Sequence, residues 1–147
     1  MLSVIEKVLI LKTVSIFAGT PDSILAKVAM LLEEQELNTG EILFSKGDVG
    51  RCMYIIVTGS VRVHDEERLL NELGERDIVG EMAVLDSTPR SASVTAMEET
   101  TLLRLDQDAL YELMADRIEV VRGIIRVLCE HLRAPSPIQR ERDGGQR

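Results

Sequence analysis

The spacing of apolar residues changes twice along this chain, and that change constrains the fold more than any other feature. From about residue 36 to residue 105 the apolar residues fall into short β-like segments: EILFS, MYIIVTG, SVRVH, RLLNEL, ASVTA and TLLRLD. Turn-forming glycines separate them, namely Gly40, Gly47, Gly50, Gly59 and Gly74. The sequence predicts a mainly β chain with helical ends (α+β), an antiparallel double-stranded, jelly-roll-like β-roll flanked by N-terminal helices and a C-terminal helix pair.

Residues 1–35 have the spacing of two helices. In the first, Val4, Val8 and Leu11 lie on one stripe. The second is predicted to begin after GTPDS, with Thr20 as its cap and Pro21 in its first turn. Its buried face is expected to comprise Ile24, Leu25, Val28, Ala29, Leu31 and Leu32.

Helical spacing returns in residues 106–133, first in DQDALYELMAD and then in RIEVVRGIIRVLCEHLRA. The apolar stripe of the last helix is predicted to be core or a dimer surface, and comprises Ile118, Val121, Ile124, Ile125, Leu128 and Leu132. A chain of 147 residues is long enough for one domain, which we expect over residues 1–133. Residues 134–147 have no apolar period and are expected to be a flexible tail or a severed linker.

Composition narrows the setting of this domain. A net charge of -8 argues against a broad basic surface, so no nucleic-acid partner is predicted. The acidic segments EEQE (33–36) and DEE (65–67) are expected to be solvated faces and turn tips. No apolar run approaches the roughly 18 to 20 residues of a membrane helix, and Glu6 stands where a secretory signal carries positive charge. We therefore expect a cytoplasmic chain that does not enter a membrane, with Cys52 and Cys129 reduced.

The segment GEMAVLDSTPRSASV, residues 80–94, interrupts the roll. GEMAVL favours one helical turn, whose unpaired N–H groups attract an anion. Arg90 follows Pro89, and its guanidinium can converge on the N–H groups of Met82 and Ala83, which suits a phosphate. Glu81 can accept hydroxyl protons beside that phosphate, so the segment predicts a site for a sugar phosphate.

This segment resembles the phosphate-binding cassette of the cyclic nucleotide-binding domain family, the β-roll module of catabolite activator protein and of the regulatory subunit of cAMP-dependent protein kinase. The family pattern F-G-E-[LI]-A, followed by P-R-[AST]-A-[ST]-V, is matched by VGEMAVLDSTPRSASV. The resemblance extends over most of residues 11–133, through SKGDVGRCMYIIVTGSVRV and LKTVSIFAGTPDSILAKVA. It implies the β-roll fold and a cyclic nucleotide ligand, cAMP more often than cGMP, with no other cofactor and no metal.

The resemblance also implies roles for individual residues. Glu81 would bind the ribose 2′-hydroxyl and Arg90 the cyclic phosphate, while the backbone N–H groups of Ala83 and Ser91 complete the phosphate cradle. The remaining ligand-binding residues expected on this basis are Gly80 and Met82 in the cassette, and Val63 and Asn71 on the base and ribose side. Movement of the terminal helix, with a hinge near residues 114–117, would report occupancy to an effector domain or a second copy.

The chain departs from the family pattern at three positions. Arg76 stands where the family usually has glycine in L-G-x-G-D, Val79 replaces the commoner phenylalanine, and Val84 stands where a leucine often relays ligand contact to the hinge. After Tyr111 the last helix offers no aromatic residue to cover the base, so base preference stays open.

The sequence argues against two further classes of protein and leaves one alternative open. A metal-dependent β-roll enzyme needs clustered ligands, whereas the chain has only His64 and His131, one near a hairpin tip and one near the end of the last helix, so no catalytic activity is predicted. The helix-turn-helix domain that follows the last helix in DNA-binding members would not fit into residues 134–147. The alternative that stays open is a ligand-free docking module of a larger assembly, in which Glu81 and Arg90 form a structural ion pair.

Overall fold

Two four-stranded antiparallel sheets form the centre of the molecule. The computed structural model describes residues 1–133, without the side chain of His131. In this range the strands are β1 Glu33–Leu37, β2 Ile42–Phe44, β3 Cys52–Thr58, β4 Val61–Asp65, β5 Arg68–Leu73, β6 Ile78–Val79, β7 Ser93–Ala96 and β8 Thr100–Asp106. Their order is β1-β8-β3-β6 in one sheet and β2-β7-β4-β5 in the other. The predicted fold class is confirmed, and the expected tail at residues 134–147 lies outside the described residues.

Helices precede and follow the strands along the chain, and one short helix interrupts them. The helices are α1 Val4–Lys12, α2 Asp22–Leu31, α3 Glu81–Asp86, α4 Gln107–Asp116 and α5 Ile118–Arg133, with a 3-10 turn at Ser15–Phe17. The short helix α3 is the helical turn predicted in GEMAVL, at the start of the segment 80–94. The chain is extended at Arg117, between α4 and α5, which lies inside the segment expected to act as a hinge.

The side chains on the two faces of β3 and β8 belong to two different hydrophobic cores. Met53 and Ile55 of β3 face α1, α2, α4 and α5, and join the core formed with these helices. Tyr54 and Ile56 point to the other side and fill the space between the two sheets, together with Leu102 of β8. Because side chains alternate along a strand, one apolar run supplies both cores.

The acidic segment at residues 33–36 is the solvated face of an edge strand, and the acidic segment at residues 65–67 ends β4 and forms the turn to β5, as expected of such segments. The segment at residues 33–36 lies in β1, which starts before the expected beginning of the roll at residue 36 and pairs with β8 from Glu33↔Arg104 to Leu37↔Thr100. Only Leu37 of β1 is buried. Since β1 is an edge strand, its backbone pairs with β8 while its charged side chains remain at the surface.

The start and end of α2 differ from the prediction. Pro21 occupies the N-cap position, not the first turn, and no side chain caps this helix. Thr20 does not cap α2 because it lies one residue further out, and its buried hydroxyl has no hydrogen-bond partner in the described part of the chain. At the other end the backbone becomes extended at Leu32, which turns Leu32 into the core and leaves Leu31 exposed.

The buried faces of α1 and α5 are also shifted from the predicted stripes. Val4, in the first turn of α1, is exposed, whereas Ile10 and Leu11 are buried. In α5 the buried apolar side chains are Val120, Ile124 and Val127, of which Ile124 belongs to the predicted stripe, whereas Ile118, Ile125 and Leu132 of that stripe are exposed.

The packing of α5 explains this shift. A Cβ built on Gly123 would overlap the backbone carbonyl oxygen of Ile16, so the glycine lets α5 lie directly against the 3-10 turn. The Arg126 side chain donates to the carbonyl oxygens of Ser15 at 3.1 Å and Ala18 at 3.3 Å. These contacts select the face of α5 that is buried.

Candidate ligand-binding site

A cavity of about 200 Å³ opens in the β-roll beside α3. It is lined by all eight residues expected at a ligand site: Val63, Asn71, Gly80, Glu81, Met82, Ala83, Arg90 and Ser91. It is also lined by six residues that sequence analysis did not single out for ligand contact: Phe44, Leu73, Ile78, Val79, Ala92 and Val94. Several of these six residues lie on strands with alternating apolar residues, and this alternation is the sequence signal that could have indicated their inward orientation.

Gly80 determines how the chain enters α3. Its backbone has φ 83 and ψ 13, the left-handed conformation that glycine adopts at little cost. A Cβ at this position would also collide with Nη1 of Arg90. Any other residue here would therefore strain the turn and displace the arginine.

Arg90 is 5% exposed, and its guanidinium is held by backbone groups. Nη1 donates to the Gly80 carbonyl at 2.9 Å and Nη2 donates to the Cys52 carbonyl at 2.6 Å. Nε is buried and has no hydrogen-bond partner in residues 1–133. Because a buried charge is costly without full pairing, the two carbonyl acceptors stabilise this guanidinium only in part, and an anionic ligand in the cavity that Arg90 lines would stabilise it further.

The backbone of Arg90 is attached to the loop between β2 and β3, within SKGDVG. Its N–H donates to the Asp48 carbonyl at 2.8 Å, and its carbonyl accepts from the N–H of Gly47 at 2.8 Å. Pro89 forms an isolated antiparallel bridge with Val49. These contacts fix the point from which the Arg90 side chain enters the roll.

Glu81 begins α3 and its side chain lies at the cavity wall, 8% exposed. On the opposite side of the roll, Val63 of β4 and Asn71 of β5 are directly paired across the two strands. The Asn71 Oδ1 accepts from the N–H of Glu72 at 2.9 Å. The cavity thus combines a guanidinium, a carboxylate and an amide with apolar walls, which suits a ligand with an anionic group, hydroxyl groups and an apolar face.

Hydrogen bonds connect α3 to α4, and sequence analysis missed them. The Tyr111 hydroxyl donates to the Val84 carbonyl at 2.8 Å, and Gln107 Nε2 donates to the same carbonyl at 2.8 Å. Gln107 Nε2 also donates to the Ser87 hydroxyl at 3.1 Å. No motif marks these pairs, because donors and acceptors lie 20 or more residues apart in the chain.

Arg76, one of the departures from the family pattern, has φ 72, in the left-handed region. This conformation accounts for the glycine that the family usually has there, since glycine adopts it without strain. The Arg76 N–H still donates to the Ile56 carbonyl at 2.8 Å, so the loop closes onto β3 with arginine in place.

Within residues 1–133 no group of three or more His, Cys, Asp or Glu side chains could hold a metal ion. His64 uses both ring nitrogens inside the roll, Nδ1 on the Glu66 carbonyl at 2.7 Å and Nε2 on the Thr95 hydroxyl at 2.8 Å. The side chain of His131 lies outside the described part. Cys52 and Cys129 are free thiols. None of the described helices has the length and apolar content needed to cross a membrane.

A family model described as a cyclic nucleotide-binding domain matches residues 34–117, from within β1 to the break after α4. The chain therefore belongs to the cyclic nucleotide-binding domain family. The resemblance expected from the cassette is confirmed.

Relatives and solved structures agree with this assignment. The chain is 33% identical over 129 residues to a CRP-like cAMP-activated global transcriptional regulator of Mycobacterium tuberculosis, and the alignment covers 84% of this chain and 58% of the regulator. It is similar to the crystal structure of Thermus thermophilus catabolite activator protein, with TM-score 0.74, 28% identity and coverage of 81% of this chain and 58% of that one. It is also similar to a cyclic nucleotide-binding domain from Methylobacillus flagellatus, with TM-score 0.77, 26% identity and coverage of 88% and 78%.

Proposed function

We propose that this chain is a cytoplasmic regulatory module that binds a cyclic nucleotide, cAMP in preference to cGMP, in the cavity beside α3. The observation that carries the proposal is the buried guanidinium of Arg90 on the cavity wall, with the Glu81 carboxylate lining the same cavity. The guanidinium is the cation for the cyclic phosphate, and the carboxylate is the acceptor for the ribose 2′-hydroxyl.

The other cavity residues complete the proposed pose. The backbone around Gly80, Met82 and Ala83, with Ser91 across the loop, contacts the phosphate and ribose. Val63 and Asn71, paired across β4 and β5, line the base side. The preference for cAMP is supported by the Mycobacterium tuberculosis relative, which is named as a cAMP-activated regulator.

We further propose that the terminal helices report occupancy. The Val84 carbonyl, in the helix next to the proposed phosphate site, accepts hydrogen bonds from Tyr111 and Gln107 of α4. A ligand that shifts α3 therefore acts on α4 directly, and the extended backbone at Arg117 lets α5 move relative to α4. A ligand changes the placement of the terminal helices only if it binds one placement more tightly than the other. The cyclic nucleotide is therefore expected to have different affinities for the two placements.

The partner that receives this signal is an effector domain or a second copy of the chain. The exposed apolar residues Ile118, Ile125 and Leu132 of α5 offer a contact face for either. The chain spans 58% of the length of the Mycobacterium tuberculosis regulator. The chain itself is proposed to bind and signal without catalysis and without nucleic-acid or membrane contact of its own.

Isothermal titration calorimetry with cAMP, cGMP and the linear 5′-monophosphates AMP and GMP tests the proposal. We expect cAMP to bind more tightly than cGMP, and both to bind more tightly than either linear nucleotide. Tighter binding of cGMP would overturn the base preference alone. If millimolar concentrations of all four give no heat and no shift in melting temperature, the ligand-free docking module is the better description.

A further inference from the structure

The Phe44 ring packs against the guanidinium of Arg90. The Cζ atom of Arg90 lies 4.0 Å from the ring centroid, well within the distance of a cation–π contact. Phe44 ends β2, and the pairing of β2 with β7 shifts register between Ile42 and Phe44. Such an irregularity redirects the following side chain, and Phe44 lines the cavity as a result.

Backbone groups hold the same guanidinium at its edge. The carbonyls of Gly80 and Cys52 accept from Nη1 and Nη2. A Cβ at Gly50 would lie 3.1 Å from Nε and 3.2 Å from Cζ of Arg90, and 2.5 Å from the Ala83 Cβ. The space for the guanidinium therefore depends on a missing side chain at Gly50 as well as on the aromatic ring.

A chain of contacts also supports Phe44. Its ring stacks on Tyr54 with centroids 6.4 Å apart and an angle of 28° between the planes. The Cys52 thiol donates to the Tyr54 hydroxyl at 3.2 Å, and the Cys52 carbonyl accepts from Arg90. Burial is the main factor that raises the pKa of Tyr54 above its ordinary value, which already lies well above neutral pH. Phe44, Tyr54, Cys52 and Arg90 thus form a closed ring of contacts.

We propose that Phe44 is a positioning residue for Arg90, and that its ring face holds the guanidinium in the one orientation that presents its remaining N–H groups to an anionic ligand. The inference rests on the proposed binding of a cyclic nucleotide. Two carbonyls fix the edge of the guanidinium but leave it free to tilt about that edge. The ring prevents this tilt, so the guanidinium is already oriented for the anionic group before the ligand binds. The apparent affinity is then not reduced by a population of protein in which the guanidinium is tilted away.

Graded fluorination of Phe44 tests this proposal without changing the shape of the side chain substantially. Replacing Phe44 site-specifically with mono-, di- and trifluorophenylalanine weakens the negative potential of the ring face step by step. We expect the calorimetric dissociation constant for cAMP to rise at each step, to about three- to tenfold above wild type. The matched control is the same series at Phe17, the other phenylalanine of the chain, which is buried in the helical core and should leave the constant unchanged.

The same fluorination series in an Arg90→Gln variant distinguishes the positioning of Arg90 by Phe44 from a direct contact between Phe44 and the ligand. In Arg90→Gln the side chain carries no charge and so has no cation–π contact with the ring, and the fluorination series at Phe44 should be flat. A series that keeps its slope in Arg90→Gln, or one that is flat in the wild type, would overturn the positioning role.

Proton NMR tests the contact between the Phe44 ring and the Arg90 guanidinium in the ligand-free protein. We expect the Arg90 Nε–H proton of the ligand-free wild type to be shifted upfield by the Phe44 ring current, and this shift to disappear in Phe44→Leu. Absence of binding by the wild type would remove the proposed function. The Arg90 Nε–H resonance would still test whether Phe44 orients the guanidinium, and an unshifted signal would contradict this role.

Discussion

The Tyr111 hydroxyl of α4 lies 2.8 Å from the Val84 carbonyl of α3 and donates a hydrogen bond to it. Val84 follows the residues that line the cavity, and its own side chain is buried in the helical core. A polar link therefore joins the proposed phosphate site to the terminal helices, at the position where the family often relies on a leucine side chain.

The first prediction concerns Arg90. Arg90→Leu should weaken binding of cAMP by about ten- to several-hundred-fold, because charge-assisted hydrogen bonds contribute roughly 1.5 to 3 kcal/mol each. Calorimetric titration measures the loss, and circular dichroism checks that the variant folds. Unchanged affinity in a folded variant would remove Arg90 from the site.

Glu81 supplies the second prediction. If its carboxylate accepts from the ribose 2′-hydroxyl, Glu81→Ala should erase most of the discrimination between cAMP and 2′-deoxy-cAMP. Competition titrations of the two ligands against wild type and variant measure this ratio. An equal loss of affinity for both would instead mean that Glu81 only maintains the loop.

The third prediction concerns the terminal helix. Amide hydrogen exchange in residues 117–133 should slow when cAMP is added, beyond the protection seen around residues 80–91. Mass spectrometry of peptides from the two segments measures both in one experiment. Protection confined to residues 80–91 would leave ligand binding intact and contradict signalling through α5.

Tyr111→Phe is the matched variant for this experiment, since it removes one hydroxyl and keeps the ring. It leaves the Val84 carbonyl with Gln107 as its remaining side-chain donor from α4. We expect cAMP affinity within about threefold of wild type, but a smaller ligand-dependent slowing in residues 117–133. A response equal to that of wild type would show that the coupling does not pass through Tyr111.

The fourth prediction tests the close packing of α5. Gly123→Ala should lower the free energy of unfolding by about 1 to 3 kcal/mol, because the added methyl overlaps the Ile16 carbonyl and forces α5 away from the 3-10 turn. Thermal melting measures the loss. Gly74→Ala is the control, since a Cβ there has no described atom within 4 Å and should change the melting temperature little. Equal melting temperatures for the two variants would contradict the close approach.

Much of the fold and of the cavity follows from patterns within short segments. The alternation of apolar residues predicted the roll, and its helical turn was visible in GEMAVL, because both periodicities reflect local backbone geometry. The cassette places Gly80, Glu81 and Arg90 close together in sequence, so a local motif could indicate them. β1 was missed because EEQE lacks the apolar alternation that indicates a half-buried strand, and its pairing with β8 joins segments far apart in the chain.

The sequence by itself determined the roll, its helical ends and the segment from Gly80 to Arg90 that contributes to the cavity wall, since these depend on neighbours along the chain. Only the tertiary structure decided that Phe44 packs on Arg90, that Tyr111 binds the Val84 carbonyl, and which face of α5 is buried. Each of these contacts joins residues from separate elements. Their distances depend on how strands and helices pack against one another, on a bulge in β2 and on the space left by a glycine. Periodicity along the chain does not encode that packing.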